Sequence, residues 1–354
     1  MKLKKLKAMM ESMEIDAMLI TYANNIYYLS GFKGTAGTLF VTGEQTYLIT
    51  DFRYITQAKE QAAECEIIDI AAGAPSIYQE LVKKHNIKSV GFERDHITYT
   101  EFVKYSELFK GMKLLATEGM VEQMRIVKTA NELEYIEKAC DIADEAFECV
   151  FTKIKAGMSE LEIAAMLEYE MKRRGATGTS FETIVASGVR SAMPHGTAGT
   201  KLLEKGDFAV MDFGCIYAGY CSDITRTVAI GSVSDKQRDV YEKLLDVQSA
   251  CLGKVSAGTE CKEVDRYSRN MLGQWELDSF FGHSLGHGVG LDIHESPNLS
   301  PNSPYLLEKN MVVTVEPGVY IEGEFGIRIE DTVAVTENGA RRLTKSSKEL
   351  KICN

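Results

Sequence analysis

Acidic residues interrupt apolar strands in the second half of this chain of 354 residues. Asp212 lies within the apolar stretch 210–213, and Asp223 lies in the next extended stretch, beyond a tight connection at residues 217–220. A hairpin would place the two carboxylates roughly opposite each other across the ladder. Two buried carboxylates at such a short distance repel each other when neither has a partner. One of them therefore takes up a proton unless a divalent cation lies between them. The alternative is that each aspartate bonds to backbone or solvent near a turn.

Glu316 and Glu330 repeat this pattern, because Glu316 follows the apolar stretch 312–315 and Glu330 precedes the extended stretch 332–335. A charged group in such a strand is costly to bury without a partner. The histidines point to the same region, since three of the six fall within twelve residues beside glycines: His283, His287 and His294. A lone histidine is usually structural or on the surface, whereas this cluster favours a functional site.

Two aspartates, two glutamates and one histidine suit two hard or borderline divalent ions. Carboxylate-rich sites with one imidazole favour Mn²⁺ or Co²⁺, with Zn²⁺ or Fe²⁺ as alternatives. A structural zinc site would more often use cysteine, and the eight cysteines are scattered without a CxxC pair. This cysteine pattern predicts reduced thiols, and therefore a cytoplasmic protein, in preference to a disulfide framework.

The composition bears on the partners of the chain. A formal net charge of -11 disfavours nucleic acid, because phosphate binding needs a basic face. No apolar run reaches the roughly 18 residues of a membrane span, so we expect no membrane partner. The lysine-rich start carries Leu3, Leu6 and Met10 at helical spacing, which predicts an amphipathic helix and not a targeting segment.

The local patterns divide the chain into two domains. Residues 1–122 alternate between helical and extended patterns, which indicates an α/β layer domain. Residues 129–132 and 159–162 each have the form of a capping box at the start of a helix. Extended patterns dominate from residue 208 onward. We therefore expect a second domain over residues 123–354, of α+β class with much antiparallel sheet.

Five local motifs carry a family resemblance, and they occupy residues 211–214, 222–227, 282–290, 315–318 and 328–331. Their acidic and histidine residues, in the order Asp, Asp, His, Glu, Glu, resemble the ligand signature of the pita-bread metallopeptidases, which include Xaa-Pro dipeptidase (prolidase) and aminopeptidase P. Asn25 and residues 28–32 and 51–54 resemble the creatinase-type domain found in the same proteins. The resemblance implies an α/β creatinase-like N-terminal domain and an α+β pita-bread catalytic domain with a curved antiparallel sheet.

The resemblance also implies two divalent metal ions per subunit, with Mn²⁺ preferred. It implies five metal ligands, namely Asp212, Asp223, His287, Glu316 and Glu330. Glu316 would also shuttle the proton. His195 would lie near the leaving group, and His294 would stabilise the tetrahedral intermediate.

The assignments around this ligand set are open to a second interpretation. Thr225 would hold Asp223 in place, and Arg328 would pair with a ligand carboxylate or be a surface arginine. His283 would line the substrate pocket or support the sheet. Phe181 and Ile293 would form the apolar pocket for a proline ring or pack in a core.

The activity implied by the resemblance is hydrolysis of the bond between an N-terminal residue and proline in small peptides, by an Xaa-Pro dipeptidase that forms a homodimer. One departure favours the alternative, an aminopeptidase P acting on longer peptides. Some dipeptidases of this family carry arginine at the position of Asn298, where it could bind the substrate carboxylate; Arg190 could substitute for it. A non-catalytic binding protein is a remote alternative, and a creatinase generally lacks the five ligands.

Overall fold

The computed structural model describes residues 1–353, which fall into two compact units, one from Met1 to Arg125 and one from Ile126 onward. The predicted fold class, an α/β unit followed by an α+β unit, is confirmed. Among the described residues, no helix combines the length and the apolar character needed to cross a membrane.

The first unit is built on one six-stranded sheet. Its strands are β1 (Ala17–Ile20), β2 (Thr38–Thr42), β3 (Thr46–Thr50), β4 (Glu66–Asp69), β5 (Ser89–Glu93) and β6 (Lys113–Thr117). The order is β4-β3-β2-β1-β5-β6, in which the β1–β2 and β2–β3 pairs are antiparallel and the other three parallel. Its helices are α1 (Lys2–Ser12), α2 (Ala23–Ser30), α3 (Ile55–Gln61), α4 (Ala74–Lys84), α5 (Tyr99–Leu108) and α6 (Glu122–Arg125). One core contains Leu19, Phe40 and Tyr47 from the sheet and Leu81 from α4.

The α-helices of the second unit are α7 (Ala130–Phe151), α8 (Glu160–Arg173), α9 (Asp235–Leu252) and α10 (Cys261–Gly273). The unit begins with α7 and α8. Thr129 and Ser159 form the predicted capping boxes with Glu132 and Glu162. Each hydroxyl accepts an N–H of the first turn while the glutamate accepts the backbone N–H of the capping residue, so unpaired donors at the helix start are satisfied.

Antiparallel pairing dominates the sheets of the second unit. The strands are β7 (Gly178–Thr179), β8 (Ile184–Ser187), β9 (Phe208–Phe213), β10 (Cys215–Tyr217), β11 (Tyr220–Cys221), β12 (Ile224–Ile230), β13 (Gly286–Gly288), β14 (Glu295–Leu299), β15 (Val312–Val315), β16 (Gly318–Ile321), β17 (Phe325–Arg328), β18 (Asp331–Thr336), β19 (Gly339–Arg342) and β20 (Ile352–Cys353). The two larger sheets have the orders β20-β12-β9-β8 and β14-β13-β15-β18-β19. Smaller sheets pair β16 with β17 and join β11, β10 and β7.

The register of β9 and β12 corrects one expectation. Asp212 pairs with Thr225, so Asp223 is offset by two residues and lies just before β12. The β10–β11 hairpin diverges into another sheet, and a Cβ at Gly214 would lie 1.9 Å from the Ser222 carbonyl oxygen. Only glycine allows this close crossing. Because side chains alternate along a strand, the offset of two keeps both aspartates on the same face.

Candidate metal centre

One cavity of about 750 Å³ in the second unit gathers the acidic and histidine residues singled out from the sequence. All five expected ligands line it, namely Asp212, Asp223, His287, Glu316 and Glu330. Asp212 comes from β9 and Asp223 immediately precedes β12, whereas the other three come from the second large sheet or its edges. The cavity therefore lies where the ends of strands from both large sheets meet.

Glycines on both sides of His287 bring it into this position. A Cβ at Gly286 would lie 2.0 Å from the Thr314 carbonyl oxygen, and one at Gly288 would lie 2.5 Å from the Glu295 carbonyl oxygen. Both glycines thus allow β13 to lie tightly between β14 and β15. The histidine side chain projects from this strand into the cavity.

The distances between the side chains are those of a shared site. His287 Nε2 lies 3.4 Å from Asp223 Oδ2 and 3.3 Å from Glu316 Oε1. One ligand atom each from Asp223, His287 and Glu330 lie within 4.8 Å of one another. His287 Nδ1 is 3.1 Å from the Gly288 carbonyl oxygen, to which it donates in the tautomer that leaves Nε2 free for a metal.

Three buried carboxylate oxygens in the cavity are available to bind a cation. Asp212 Oδ1, Asp223 Oδ1 and Glu330 Oε1 have no hydrogen-bond partner among residues 1–353. Buried polar atoms are almost always partnered, and here three unpartnered anionic oxygens belong to one cavity. The donor set of carboxylates and one imidazole matches hard or borderline divalent ions.

The electrostatics of the cavity show an excess of negative charge. Burial, with the neighbouring Asp212 carboxylate, raises the pKa of Asp223 to about 7. Burial and three other carboxylates raise the pKa of Glu330 well above its usual value. Burial alone would also raise the pKa of Glu316, but the His287 imidazole overcomes this and lowers that pKa to about 2. The cluster therefore holds either protons or cations.

Arg328 is buried within the site and uses its guanidinium to fix the surrounding groups. Its Nη2 donates to Asp212 Oδ2, which supports pairing with a ligand carboxylate and excludes a surface position. Its Nη1 donates to the Pro194 carbonyl oxygen at 3.0 Å and to the Tyr320 hydroxyl at 2.9 Å, and its Nε donates to Thr225 Oγ1 at 3.0 Å.

Thr225 contacts a different ligand from the one expected. Its hydroxyl donates to Glu330 Oε2 at 2.6 Å, not to Asp223. The β9–β12 register places Thr225 opposite Asp212, and Glu330 approaches from the connection between β17 and β18. The expectation came from nearness in sequence, whereas the contact is made between distant segments.

The three other histidines singled out from the sequence, His195, His283 and His294, also line the cavity. His283 Nε2 lies 2.9 Å from the Tyr320 hydroxyl, and the His294 ring packs edge-on against His287 with 4.4 Å between ring centres. Burial lowers the pKa of both His283 and His294, which favours their neutral forms. His195 is exposed at the cavity wall.

Only one of the two residues expected to form the apolar pocket lies at the cavity. Phe181 lines the cavity, whereas Ile293 does not. Ile293 lies in the bent connection before β14, where successive side chains diverge. Sequence reasoning missed Tyr320, which joins His283 to Arg328. Gly318 leaves room for this hydroxyl, because a Cβ there would lie 2.4 Å from the Tyr320 hydroxyl oxygen, but no local pattern in the sequence indicates the contact.

Comparison with known families gives two matches along the chain. Residues 134–337 match the model described as metallopeptidase family M24. Residues 2–127 match the creatinase/prolidase N-terminal domain.

Individual relatives cover almost the whole chain. A Xaa-Pro dipeptidase of Pyrococcus horikoshii is 40% identical over 99% of this chain and 98% of its own length. The solved structure of a Xaa-Pro dipeptidase from Bacillus anthracis superposes with a TM-score of 0.97 at 42% identity, covering 99% of both chains. The structure of an X-Pro aminopeptidase from Thermotoga maritima gives a TM-score of 0.92 at 40% identity, covering 97% of this chain and 99% of that one.

Proposed function

The chain belongs to metallopeptidase family M24, as its motifs predicted, and from this premise we propose that it cleaves the peptide bond between an N-terminal residue and proline. We propose dipeptides as the first substrate class, because relatives named Xaa-Pro dipeptidase match over nearly the full length of the chain. The observation that carries a catalytic role is the group of three unpartnered carboxylate oxygens in one cavity with His287.

The proposed cofactor is a pair of divalent ions, with Mn²⁺ preferred. Asp212, Asp223, His287, Glu316 and Glu330, which all line the cavity, would hold the ions. Ions bound there would lower the pKa of a water molecule toward neutrality and polarise the carbonyl group of the scissile bond.

Glu316 is the proposed proton carrier, because its carboxylate lines the cavity and its Oε1 lies 3.3 Å from Nε2 of His287. Its Oε1 accepts a hydrogen bond from the Thr314 hydroxyl at 3.0 Å, and that hydroxyl accepts the backbone N–H of His287 at 3.0 Å. One threonine thus fixes both residues. A carboxylate held in this way takes a proton from the attacking water and returns it to the leaving amine.

His294 and His195 are proposed to act as hydrogen-bond donors. The lowered pKa of His294 favours a neutral imidazole, whose one N–H can donate to the oxygen that gains negative charge during attack. His195 lies on the cavity wall beside Pro194 and would bind the leaving side of the substrate. Phe181 would contact the proline ring.

A second candidate is aminopeptidase P activity on longer peptides, and one observation favours it. Among the described residues that line the cavity, Arg328 is the only arginine or lysine. Its donors are engaged by Asp212, Thr225, Pro194 and Tyr320. A dipeptide carboxylate therefore has no free cation of this chain in the cavity.

The deciding experiment compares Ala-Pro with Ala-Pro-Ala in the presence of Mn²⁺ and after chelation. Metal-dependent cleavage of Ala-Pro supports the dipeptidase, and a higher kcat/KM for Ala-Pro-Ala supports the aminopeptidase. Ala-Ala and Ala-Ala-Ala serve as controls for the proline requirement. Failure to cleave either proline peptide with metal bound would overturn the proposed specificity.

We further propose a cytoplasmic homodimer. Light scattering coupled to size-exclusion chromatography tests the dimer, and a monomer at micromolar concentration would contradict it.

A further inference from the structure

The His195 side chain is held only through its backbone. Its ring makes no hydrogen bond to any of residues 1–353, although it lines the cavity. The nearest restraint is the backbone, where the Thr197 N–H donates to the His195 carbonyl oxygen at 2.9 Å. The position of the imidazole therefore depends on how residues 187–199 are anchored.

Glu160 anchors both ends of that segment. Its carboxylate is fully buried at the first turn of α8 and accepts the backbone N–H of Ser187 at 2.8 Å and the Ser187 hydroxyl at 2.9 Å. It also accepts the backbone N–H of Gly199 at 3.1 Å. Charge-assisted hydrogen bonds of this kind are stronger than neutral ones, so one carboxylate fixes the two ends of the segment that carries His195.

Arg190 ties the middle of the segment to the same carboxylate. Its Nε donates to Glu160 Oε2 at 3.1 Å, and its Nη2 donates to the Thr197 carbonyl oxygen at 2.7 Å. Thr197 is two residues beyond His195, so the guanidinium spans from the buried carboxylate to the backbone beside the histidine. The rigid fork of arginine suits such bridging, and lysine cannot reproduce it.

The sequence suggested another role for Arg190, as the cation for a substrate carboxylate. The structure argues against this role, because neither Arg190 nor Glu160 lines the cavity and both are engaged with each other.

We propose that Glu160 and Arg190 are positioning residues for the peptidase reaction, which set the place of His195 without touching the substrate. This inference rests on the proposed function for its kinetic consequence, but the placement of His195 can be tested independently. A small displacement of a reacting group is enough to lower the rate of an enzyme severely.

The kinetic test uses Arg190→Met, with Arg190→Lys as the milder variant if the first does not fold. We expect kcat for both Ala-Pro and Ala-Pro-Ala to fall roughly tenfold to a hundredfold, with KM and bound metal nearly unchanged. In a His195→Ala background, Arg190→Met should add almost no further loss, because residues that act through one another are not additive. Arg173→Met, which removes an exposed arginine from α8, is the matched control.

A second readout needs no activity. In ¹³C-histidine-labelled, metal-free protein, the His195 signal is identified by its loss in His195→Ala. Arg190→Met or Glu160→Gln should shift or broaden that signal, and Arg173→Met should leave it unchanged.

The outcomes separate the two hypotheses. If the wild type cleaves neither peptide but Arg190→Met or Glu160→Gln shifts the His195 signal, the proposed function is refuted and the positioning role is kept. The positioning role is overturned if the signal does not change, if the losses with His195→Ala are additive, or if KM rises for Ala-Pro alone. The last result would return Arg190 to carboxylate binding.

Discussion

The Thr225 hydroxyl lies 2.6 Å from Glu330 Oε2 and donates a hydrogen bond to it, although the two residues are 105 positions apart in the chain. Oγ1 of Thr225 also accepts a hydrogen bond from Arg328 Nε at 3.0 Å. Glu330 Oε1 has no partner among the described residues. Thr225 therefore fixes one oxygen of the carboxylate and leaves the other available to a cation.

Replacing this hydroxyl should weaken metal binding. Thr225→Val keeps the shape of the side chain but leaves Arg328 Nε unpaired and Glu330 free to turn. Loss of a supporting hydrogen bond of this kind typically lowers metal affinity about tenfold to a hundredfold. Titration calorimetry with Mn²⁺ measures the change, and Thr225→Ser is the control that should keep most of the affinity. Equal affinity in the valine and serine variants would show that the hydroxyl does not orient Glu330.

Glu330→Gln should change stability in opposite directions with and without metal. In the metal-free protein, burial and three neighbouring carboxylates raise the pKa of Glu330. A neutral isostere neither repels these carboxylates nor has to take up a proton on folding, so we expect a gain of about 1 kcal/mol or more in the free energy of unfolding. With saturating Mn²⁺, metal binding stabilises the wild type more than the variant. The wild type should then have the higher free energy of unfolding. Urea unfolding in chelator and in Mn²⁺ measures both.

The control for this prediction is Glu324→Gln, an exposed glutamate paired with Lys236. It should leave the unfolding midpoint nearly unchanged in both conditions. A metal-free Glu330→Gln protein less stable than the wild type would contradict the repulsion argument.

Asp16 in the first unit gives a pH-dependent prediction away from the metal centre. Its Oδ2 accepts the backbone N–H groups of Lys88 at 2.8 Å and Ser89 at 2.9 Å. Burial opposes ionisation, but these hydrogen bonds outweigh it and lower the pKa of Asp16. A lowered pKa in the folded state stabilises the protein above the unfolded pKa of about 3.9, and this stabilisation is lost as the pH falls through the folded value.

Asp16→Asn should therefore destabilise the protein at pH 7, by less than about 1 kcal/mol because the group is largely exposed. The difference from wild type should shrink when the pH falls below about 4. Urea unfolding at several pH values, followed by circular dichroism, gives the difference curve, and Glu11→Gln on α1 is the control. A difference that grows on acidification would have the wrong sign for this explanation.

The sequence was sufficient to predict most of the acidic and histidine residues that line the cavity, but neither all of its members nor all of their contacts. A carboxylate within an apolar strand, such as Asp212, indicates burial, and glycines beside His287 indicate close packing, because both signals are local. The partner of Thr225 depends on a segment that is remote in the chain, so no local pattern indicates it. The same holds for Tyr320, whose bond to Arg328 requires β16 and β17 to pair.

Asn298 offers a way to test how the cavity meets the end of its substrate. Its exposed side chain lines the cavity, at the position where the family resemblance led us to expect an arginine in a dipeptidase. Asn298→Arg adds a free guanidinium, which can bind a carboxylate through two charge-assisted hydrogen bonds. Such bonds contribute about 1.5–3 kcal/mol, so KM for Ala-Pro should fall roughly tenfold to a hundredfold.

The benefit should be confined to the dipeptide, because Ala-Pro-Ala places its carboxylate one residue farther away and carries an amide where the dipeptide has a charge. Steady-state kinetics on both peptides with Mn²⁺ measures the two KM values. Asn298→Met, with a comparable unbranched stem and no charge, should leave both unchanged. Equal decreases for the two peptides would mean that the added charge acts on the whole cavity, and the carboxylate would then be bound elsewhere.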